Sequence, residues 1–285
     1  MRNSIHSYIC LPLAGISAAG LILVSCSGTR HIPEGEHKLV KNIVKIEGEN
    51  DLEINDISAY IKQQPATFSL TKNDSTVFNP ELVGKSVESI RNHLKYLGYY
   101  DSEVTSEISY KKQKARVQYN LTPGKQYIID SIAFDLPSNG KEFERDFYAS
   151  ALDMTIREGS VLSESSLTDA SNRLASSMRN LGYYGFDKNS LTYEADTLEG
   201  DGTSSLIVKL APTAPFKKSY IASIQVNKSD ALKFRDKILN GLNLIHPGDL
   251  YNETLVNDTY TRLASMKAFN NVGIEVVQTA DTLVD

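Results

Sequence analysis

The sequence predicts an α+β protein made of tandem β-α-α-β-β modules, each a three-stranded sheet covered on one face by two helices. The first observation is a helix-like run that ends in Leu-Gly-Tyr-Tyr and occurs twice, so that Gly98 and Gly182 lie 84 positions apart. The second is that Tyr100 and Tyr184 repeat at the same spacing. The third is that apolar and polar residues alternate after each run, as in half-buried strands. Features that recur together at one spacing indicate a repeated structural unit.

The first module, residues 42–125, is expected to begin with a strand and a short helix. Residues 43–48, IVKIEG, are largely apolar and end at a glycine, which is typical of a strand followed by a turn. The apolar residues of 52–61 recur at helical spacing. The short helix should stop near Pro65, because the residue before a proline avoids the helical region.

The long helix of this module is delimited by its end residues. The Asn-Pro-Glu sequence at 79–81 combines a capping side chain, a proline suited to the first helical position and an acidic first turn. The apolar residues of 83–97 form one stripe, and Gly98 ends the helix because glycine accepts a positive φ. An aromatic side chain after the glycine can pack over the helix end. We therefore interpret Gly98 and Tyr100 as structural residues.

Two alternating segments then predict a hairpin with one face in water. They cover residues 104–110 and 115–121 and are joined by the polar turn KKQK. The second segment alternates more cleanly and is expected to be central, which makes the first an edge strand. An exposed edge offers unpaired backbone groups to which an extended chain can add by β-augmentation. The residues of this predicted binding edge are Val104, Ser106, Ile108 and Tyr110.

The second module, residues 126–216, repeats this order. Its first strand is expected at 128–135, and its long helix begins at Ser163. Gly182 and Tyr184 form its structural helix end. A second hairpin around the polar connection EGDGTS completes the module.

The third module, residues 217–285, begins in the same way. Phe269 stands where Tyr184 stands in the second module, 85 positions earlier. One strand of the hairpin is recognisable before Asp285, but no segment with the alternation of a final strand follows. We therefore expect this module to be incomplete, with its final strand missing, and favour a fragment of a longer protein over a truncated gene product.

Residues 1–25 are predicted to be a lipoprotein signal peptide. Arg2 precedes an uncharged apolar run at 9–24, which is short for a transmembrane helix and typical of a secretory signal. The Leu-Val-Ser-Cys sequence that follows resembles the bacterial lipobox, which implies cleavage between Ser25 and Cys26 and lipid attachment to Cys26. An ordinary signal peptide with an incidental cysteine is the alternative. Residues 26–41 would then be a linker.

The junction LTPGKQYIIDSIAF at 121–134 resembles the link between consecutive POTRA domains. With the lipobox and the segment IPEGEHKLVKNIVKIEG, the modules resemble the TamL lipoprotein branch of the BamA/TamA outer-membrane assembly family over residues 23–285. The resemblance implies a lipid anchor in the outer membrane, with the modules in the periplasm. It also implies unfolded outer-membrane protein clients, a TamB-like bridging partner and a C-terminal β-barrel in the full-length protein.

No catalytic chemistry is predicted. The five histidines show no metal-binding spacing, and the chain has neither a nucleophile motif nor a phosphate-binding glycine loop. The net charge of −5 gives no indication of nucleic-acid binding. We expect a non-enzymatic scaffold without metal or cofactor that binds extended clients or partner proteins at its sheet edges. The alternative is a structural periplasmic protein of the divisome or two-partner-secretion type, without an assembly role.

Overall fold

The structure, a computed structural model, describes residues 32–285 apart from 49, 67–75, 138, 198–201, 212–214, 228–235 and 267–270. Ser25, Cys26 and Phe269 therefore lie outside the described residues. Module 1 contains the elements β1 (Lys38–Ile46), α1 (Ile54–Ser58), α2 (Glu81–Tyr96), β2 (Glu103–Lys111) and β3 (Lys114–Thr122). Module 2 contains β4 (Ile128–Asp135), α3 (Lys141–Ala151), α4 (Glu164–Asn180), a 3-10 turn (Lys188–Ser190), β5 (Leu191–Thr197) and β6 (Thr203–Leu210). Module 3 contains β7 (Tyr220–Ile221), α5 (Asp236–Leu242), α6 (Glu253–Ser265), β8 (Gln278–Ala280) and β9 (Leu283–Val284).

Each module has one mixed three-stranded sheet with the last strand in the centre. The strand orders are β1-β3-β2, β4-β6-β5 and β7-β9-β8. In each sheet the first strand runs parallel to the central strand and the hairpin partner runs antiparallel to it. The predicted α+β fold class with repeated three-stranded sheets is confirmed.

Alternation along the central strands builds the cores. In β3 the side chains of Ala115, Val117, Tyr119 and Leu121 are buried, and the intervening ones are exposed or half-buried. They join a cluster that includes Ile90 and Leu94 of α2. Module 2 repeats this arrangement with a larger aromatic core. The buried core of module 3 is much smaller and comprises Ile221, Ile245, Tyr251, Val256 and Val284.

Several element bounds differ from the sequence-based expectation. The strand β1 begins at Lys38, five residues before the apolar pattern does, because pairing with β3 extends it. The helix α1 ends at Ser58, although Tyr60 and Ile61 still donate to the carbonyls of the preceding turn. The helix α3 ends at Ala151, and Leu152 is its C-cap residue, with 82% of its surface exposed.

The expectation that module 3 lacks its final strand is wrong. The chain turns at Asp281–Thr282, and Leu283–Val284 then occupy the central position between β7 and β8. Val277 and Asp285 also exchange two backbone hydrogen bonds, at 2.8 and 2.9 Å. Alternation needs about four residues to be recognisable, so a strand of two residues leaves no pattern in the sequence.

Candidate functional site

The strand β2 lies at the open edge of the module 1 sheet. It pairs with β3 alone over its nine residues. Lys111 and Lys114 close the two-residue hairpin turn, so they form a hydrogen-bonded pair and the pairing alternates from there. The backbone groups of Val104, Ser106, Ile108 and Tyr110 consequently point away from β3. These are the residues predicted to form the binding edge.

The opposite edge of the same sheet is closed. The segment that leads into α2 runs beside β1, where Leu39 donates to the Thr76 carbonyl at 2.9 Å and Phe78 donates to the His37 carbonyl at 2.8 Å. Lys38 and Val77 form an antiparallel bridge. Modules 2 and 3 close the equivalent edge in the same way, with bridges at Val161 and Leu250. The fold thus leaves the hairpin strand as the edge to which another chain can add.

The side chains along β2 change character from one end to the other. Val104 is buried, Ser106 is half-buried, and Ile108 and Tyr110 are exposed beyond the helices. The Tyr110 ring lies 4.4 Å from the His37 ring, measured between centroids. Because of this gradient, an added strand would find apolar contacts only at the hairpin end of β2.

The two Gly-Tyr-Tyr sequences form the same helix end. Gly98 has φ +95° and Gly182 has φ +99°. In the first, Tyr99 donates to the Leu94 carbonyl and Gly98 to the Lys95 carbonyl, both at 2.9 Å. Tyr183 and Gly182 repeat this pair of bonds one module later. Both ends are Schellman motifs, in which glycine at the left-handed position reverses the chain.

The two tyrosines of each pair serve different modules, which the sequence did not reveal. Tyr99 and Tyr183 are buried in the cores of their own modules. Tyr100 instead packs against the core of module 2, and Tyr184 against the core of module 3. The Tyr184 hydroxyl also donates to the Val276 carbonyl at 2.8 Å. The doubled aromatic at the repeat spacing was the available signal, since one helix end needs a single aromatic cover.

The same glycines bring consecutive modules into close approach. A Cβ atom added to Gly98 would lie 2.6 Å from the Leu162 carbonyl oxygen, and one added to Gly182 would lie 2.7 Å from Leu250 Cδ1. Both distances are shorter than van der Waals contact. Glycine is therefore required at each joint for its conformation and for its size.

Polar contacts reinforce the joint between modules 2 and 3. Arg179 binds Glu253 with two hydrogen bonds, Nε to Oε1 at 2.7 Å and Nη2 to Oε2 at 3.0 Å, and both side chains are about three-quarters buried. Ser176 donates to the same carboxylate at 2.8 Å. The side chain of Asn180 accepts from the Thr254 backbone, also at 2.8 Å. This network ties the C-terminal turn of α4 to the N-terminal turn of α6.

A buried carboxylate holds the segment that enters module 3. Asp146 of α3 accepts from Lys218 at 2.9 Å and from the Tyr183 hydroxyl at 3.1 Å. Burial by itself raises the pKa of Asp146, but hydrogen bonds from Lys218, Arg145 and Tyr183 outweigh it and hold the pKa below its ordinary value. Burial and the adjacent Asp146 raise the pKa of Tyr183 well above its ordinary value. Both shifts keep Asp146 ionised and Tyr183 protonated, so that the tyrosine hydroxyl donates to the carboxylate.

Neither metal chemistry nor a membrane span is found in the part of the chain that the structure describes. No three metal-ligating side chains come together there. None of its helices has the length and apolar character needed to cross a bilayer.

Comparisons with known proteins identify the fold. The family model for POTRA, described as surface antigen variable number repeat, matches residues 40–124. POTRA domains 3–5 of BamA from Haemophilus influenzae superimpose with a TM-score of 0.52 at 18% identity, covering 90% of this chain and 97% of that one. No curated protein matches the chain.

Two further solved structures are similar over shorter or looser alignments. POTRA domains 1–3 of Omp85 from Anabaena align with a TM-score of 0.33 at 15% identity, over 88% of this chain and 94% of that one. CdiB from Escherichia coli aligns with a TM-score of 0.27 at 12% identity, over 68% of this chain and 30% of that one. The three-stranded modules described above have the POTRA fold.

Proposed function

We propose that this chain is the periplasmic scaffold of an outer-membrane protein assembly or translocation factor. In this proposal it acts without catalysis of its own and binds extended client strands by β-augmentation at the free edge of β2. The observation that carries the proposal is the asymmetry of the module 1 sheet, in which one edge is closed by its own chain and the other is open.

Backbone pairing suits a client whose sequence varies. The four outward-facing residues of β2 offer N–H and C=O groups that pair with any extended chain. The Arg91 guanidinium donates to the Val104 carbonyl at 3.4 Å, so the edge is partly occupied at its Val104 end. The groups of Ser106, Ile108 and Tyr110 remain for a client.

The length of the edge supports the same kind of client. The strand β2 has nine residues, and a transmembrane β-strand has about 9–11 residues. The hairpin strand of module 2, β5, has seven. A client strand would therefore be paired over most of its length on module 1, which makes β2 the preferred edge.

The cellular location that we propose rests on the resemblance of residues 23–26 to the lipobox. We propose that Cys26 is lipidated and anchors the chain in the outer membrane, with the modules in the periplasm beside a TamB-like partner. If so, Cys26→Ser should release the protein into the soluble periplasmic fraction or leave it unprocessed. A Cys26→Ser protein that fractionates and migrates as the unchanged protein does would exclude the anchor.

The binding edge is tested by site-specific photocrosslinking. A photoreactive residue at Ser109 of β2 and one at Lys45 of β1 lie on the same exposed face of the sheet, but beside the open and the closed edge respectively. An unfolded outer-membrane barrel protein should crosslink at Ser109 and not at Lys45. Ser106→Pro removes an outward N–H without breaking the ladder to β3, so it should abolish the Ser109 crosslink in a folded protein.

The crosslinking result also discriminates against a structural role without clients. Equal crosslinking at both sites would indicate nonspecific contact. Crosslinks at neither site, with a folded protein, would favour the divisome or two-partner-secretion alternative and overturn the proposal.

A further inference from the structure

Basic side chains are concentrated at one end of the open face of the module 1 sheet. The helices cover one face of this sheet, so residues that alternate with the buried positions of β3 lie on the other face. Glu47, Glu103 and Glu107 line the end of that face away from the β2–β3 turn. The five exposed basic residues at the end where the hairpin turns, here named the basic tip, are Lys41, Lys111, Lys112, Lys114 and Arg116.

The tip keeps its charge at a cost to the local structure. Lys114 lies opposite Lys111 on one side and opposite Lys38 on the other, and like charges in these positions destabilise a sheet. Lys112 has φ +53° and is the only non-glycine residue at positive φ in the described part of the chain. Glycine or asparagine would hold that turn at lower cost. Such departures from local preference concentrate at functional sites.

The POTRA fold does not require these charges. In module 2 the residue equivalent to Lys114 at the start of the central strand is Thr203, and the one equivalent to Arg116 is Ser205. Ser205 lies opposite Asp196 of β5, so the corresponding region is acidic. Module 2 therefore does not repeat the basic tip of module 1 at these positions.

The tip lies where the chain enters module 1. The backbone N–H of Lys38 donates to the Gln113 carbonyl in the hairpin turn at 2.8 Å, which places the start of β1 beside the tip. Ile32, the first described residue, is buried. Ile32 lies six positions after Cys26, and a chain of six residues cannot span more than about 20 Å.

We propose that the basic tip docks onto the anionic phospholipid headgroups of the membrane that holds the Cys26 anchor. The proposal rests on the anchoring part of the proposed function, because the short tether is what selects a membrane over another acidic surface. In the described part of the chain, no ion pair involves a tip residue, so these charges are available to headgroups. Docking would hold the hairpin end of β2 at the membrane and direct a bound client strand towards it.

The test is co-sedimentation of the chain from Ser27 to Asp285 with lipid vesicles. This chain keeps every described residue and has no lipid anchor, so its binding does not depend on lipidation. It should bind vesicles of phosphatidylglycerol and phosphatidylcholine in equal parts and not vesicles of phosphatidylcholine alone. Raising the salt from about 0.1 M to about 1 M shortens the screening length from about 10 Å to about 3 Å and should release it.

The tip variant combines Lys112→Asn, Lys114→Gln and Arg116→Gln. Each basic residue near an anionic surface changes partitioning roughly fivefold, so the triple variant should bind about 100-fold more weakly. The control combines Lys62→Gln, Lys85→Gln and Lys95→Gln, which removes the same charge from the exposed helix side of module 1. The control should bind within a few-fold of the unchanged chain.

A structural side effect cannot produce this pattern. Removing the like-charge pairs and the positive φ lysine should leave the melting temperature of the tip variant equal or higher, which circular dichroism checks. Equal losses of binding in the two triple variants would reduce the effect to net charge and overturn the proposal. A lack of binding to anionic vesicles would also overturn the proposal. The same holds for salt-sensitive self-association in which the tip binds the acidic face of module 2 on a second copy. If the Cys26→Ser protein fractionates as the unchanged protein does, the lipid anchor is excluded, whereas the vesicle-binding result is not affected.

Discussion

The joint between modules 1 and 2 and the joint between modules 2 and 3 share one backbone design and differ in their polar contacts. In both, a glycine at positive φ ends the long helix against the next module, and the second tyrosine packs on the next core. Arg179 and Glu253 lock the second joint. The equivalent positions of the first joint are Lys95 and Glu164, and no ion pair joins them in the described part of the chain.

The difference separates two tasks. The glycine and tyrosine positions fix how closely consecutive modules approach, because they depend on backbone conformation and shape. The polar network adds hydrogen bonds whose partners lie in different modules, so it couples the stability of one module to that of the next. Module 3 has the smallest core and also the stronger lock, which indicates that it depends on module 2 for its stability.

The largest expected effect comes from the joint glycines. Gly98→Ala should destabilise module 1 and its contact with module 2, because positive φ costs about 1–2 kcal/mol and the Leu162 carbonyl cannot move away cheaply. Overpacking adds about 1–3 kcal/mol. Gly182→Ala should cost less, because its new Cβ meets the flexible end of Leu250. Urea unfolding followed by circular dichroism measures both.

Gly159→Ala is the matched control for this pair. Gly159 also has a positive φ, of +86°, but no atom lies within 4 Å of the position of an added Cβ. It should therefore show the conformational cost of about 1–2 kcal/mol alone. If Gly98→Ala costs no more than Gly159→Ala, the close approach of the modules is not tight and the shared design of the joints is wrong.

The polar lock predicts an intermediate effect. Arg179→Ala leaves the Glu253 carboxylate without its bidentate partner, which should cost about 1–2 kcal/mol for a pair that retains some solvent contact. The loss should appear as faster hydrogen exchange in α6 of module 3. Lys95→Ala at the equivalent position of the first joint should stay within about 0.5 kcal/mol. Similar losses of stability in the two variants would show that the polar network does not distinguish the second joint from the first.

The sequence predicted the repeated features well, for physical reasons. Ser163, where the long helix of module 2 was expected to begin, accepts from the backbone N–H of Ser166, as the capping preferences require. The alternation of apolar and polar residues in β3 predicted which of its faces is buried and that it is the central strand. Such signals are local, and each is written in a few consecutive residues.

The features that the sequence did not predict depend on contacts between distant residues. Tyr100 and Tyr184 were assigned to helix ends because nothing local shows that the second ring reaches another module. The ion pair between Arg179 and Glu253 joins residues 74 positions apart. The closed edge of β1 likewise requires the segment around Val77 to return beside it, which the polar sequence at 71–76 does not indicate.

The smallest expected effect is a difference in acid sensitivity between the two joints. The segment that enters module 3 is held by Lys218, which binds Asp146 and also Glu142 at 2.8 Å. The pKa of Asp146 lies below its ordinary value of 3.8 because the hydrogen bonds from Lys218, Arg145 and Tyr183 outweigh its burial. The carboxylate therefore stabilises the folded state above that value, and the contribution is lost as the pH falls through the lower, folded pKa.

At the first joint the corresponding segment is held by Gln126, whose amide donates to the Leu97 carbonyl at 3.0 Å and does not titrate. The Tyr127 hydroxyl also donates to Asp101 at 3.0 Å, but this hydrogen bond is exposed and should contribute less than the buried contacts of Asp146. Lowering the pH to about 3 and below should therefore loosen residues 215–219 more than residues 123–127, at no more than about 1.4 kcal/mol per pH unit. Hydrogen exchange, corrected for the intrinsic rate at each pH, measures the two segments in one experiment. Asp146→Asn should lower the protection of residues 215–219 at neutral pH and remove most of its acid dependence. Acid dependence that persists in Asp146→Asn, or that is equal in the two segments, would mean that the carboxylate does not hold the second joint.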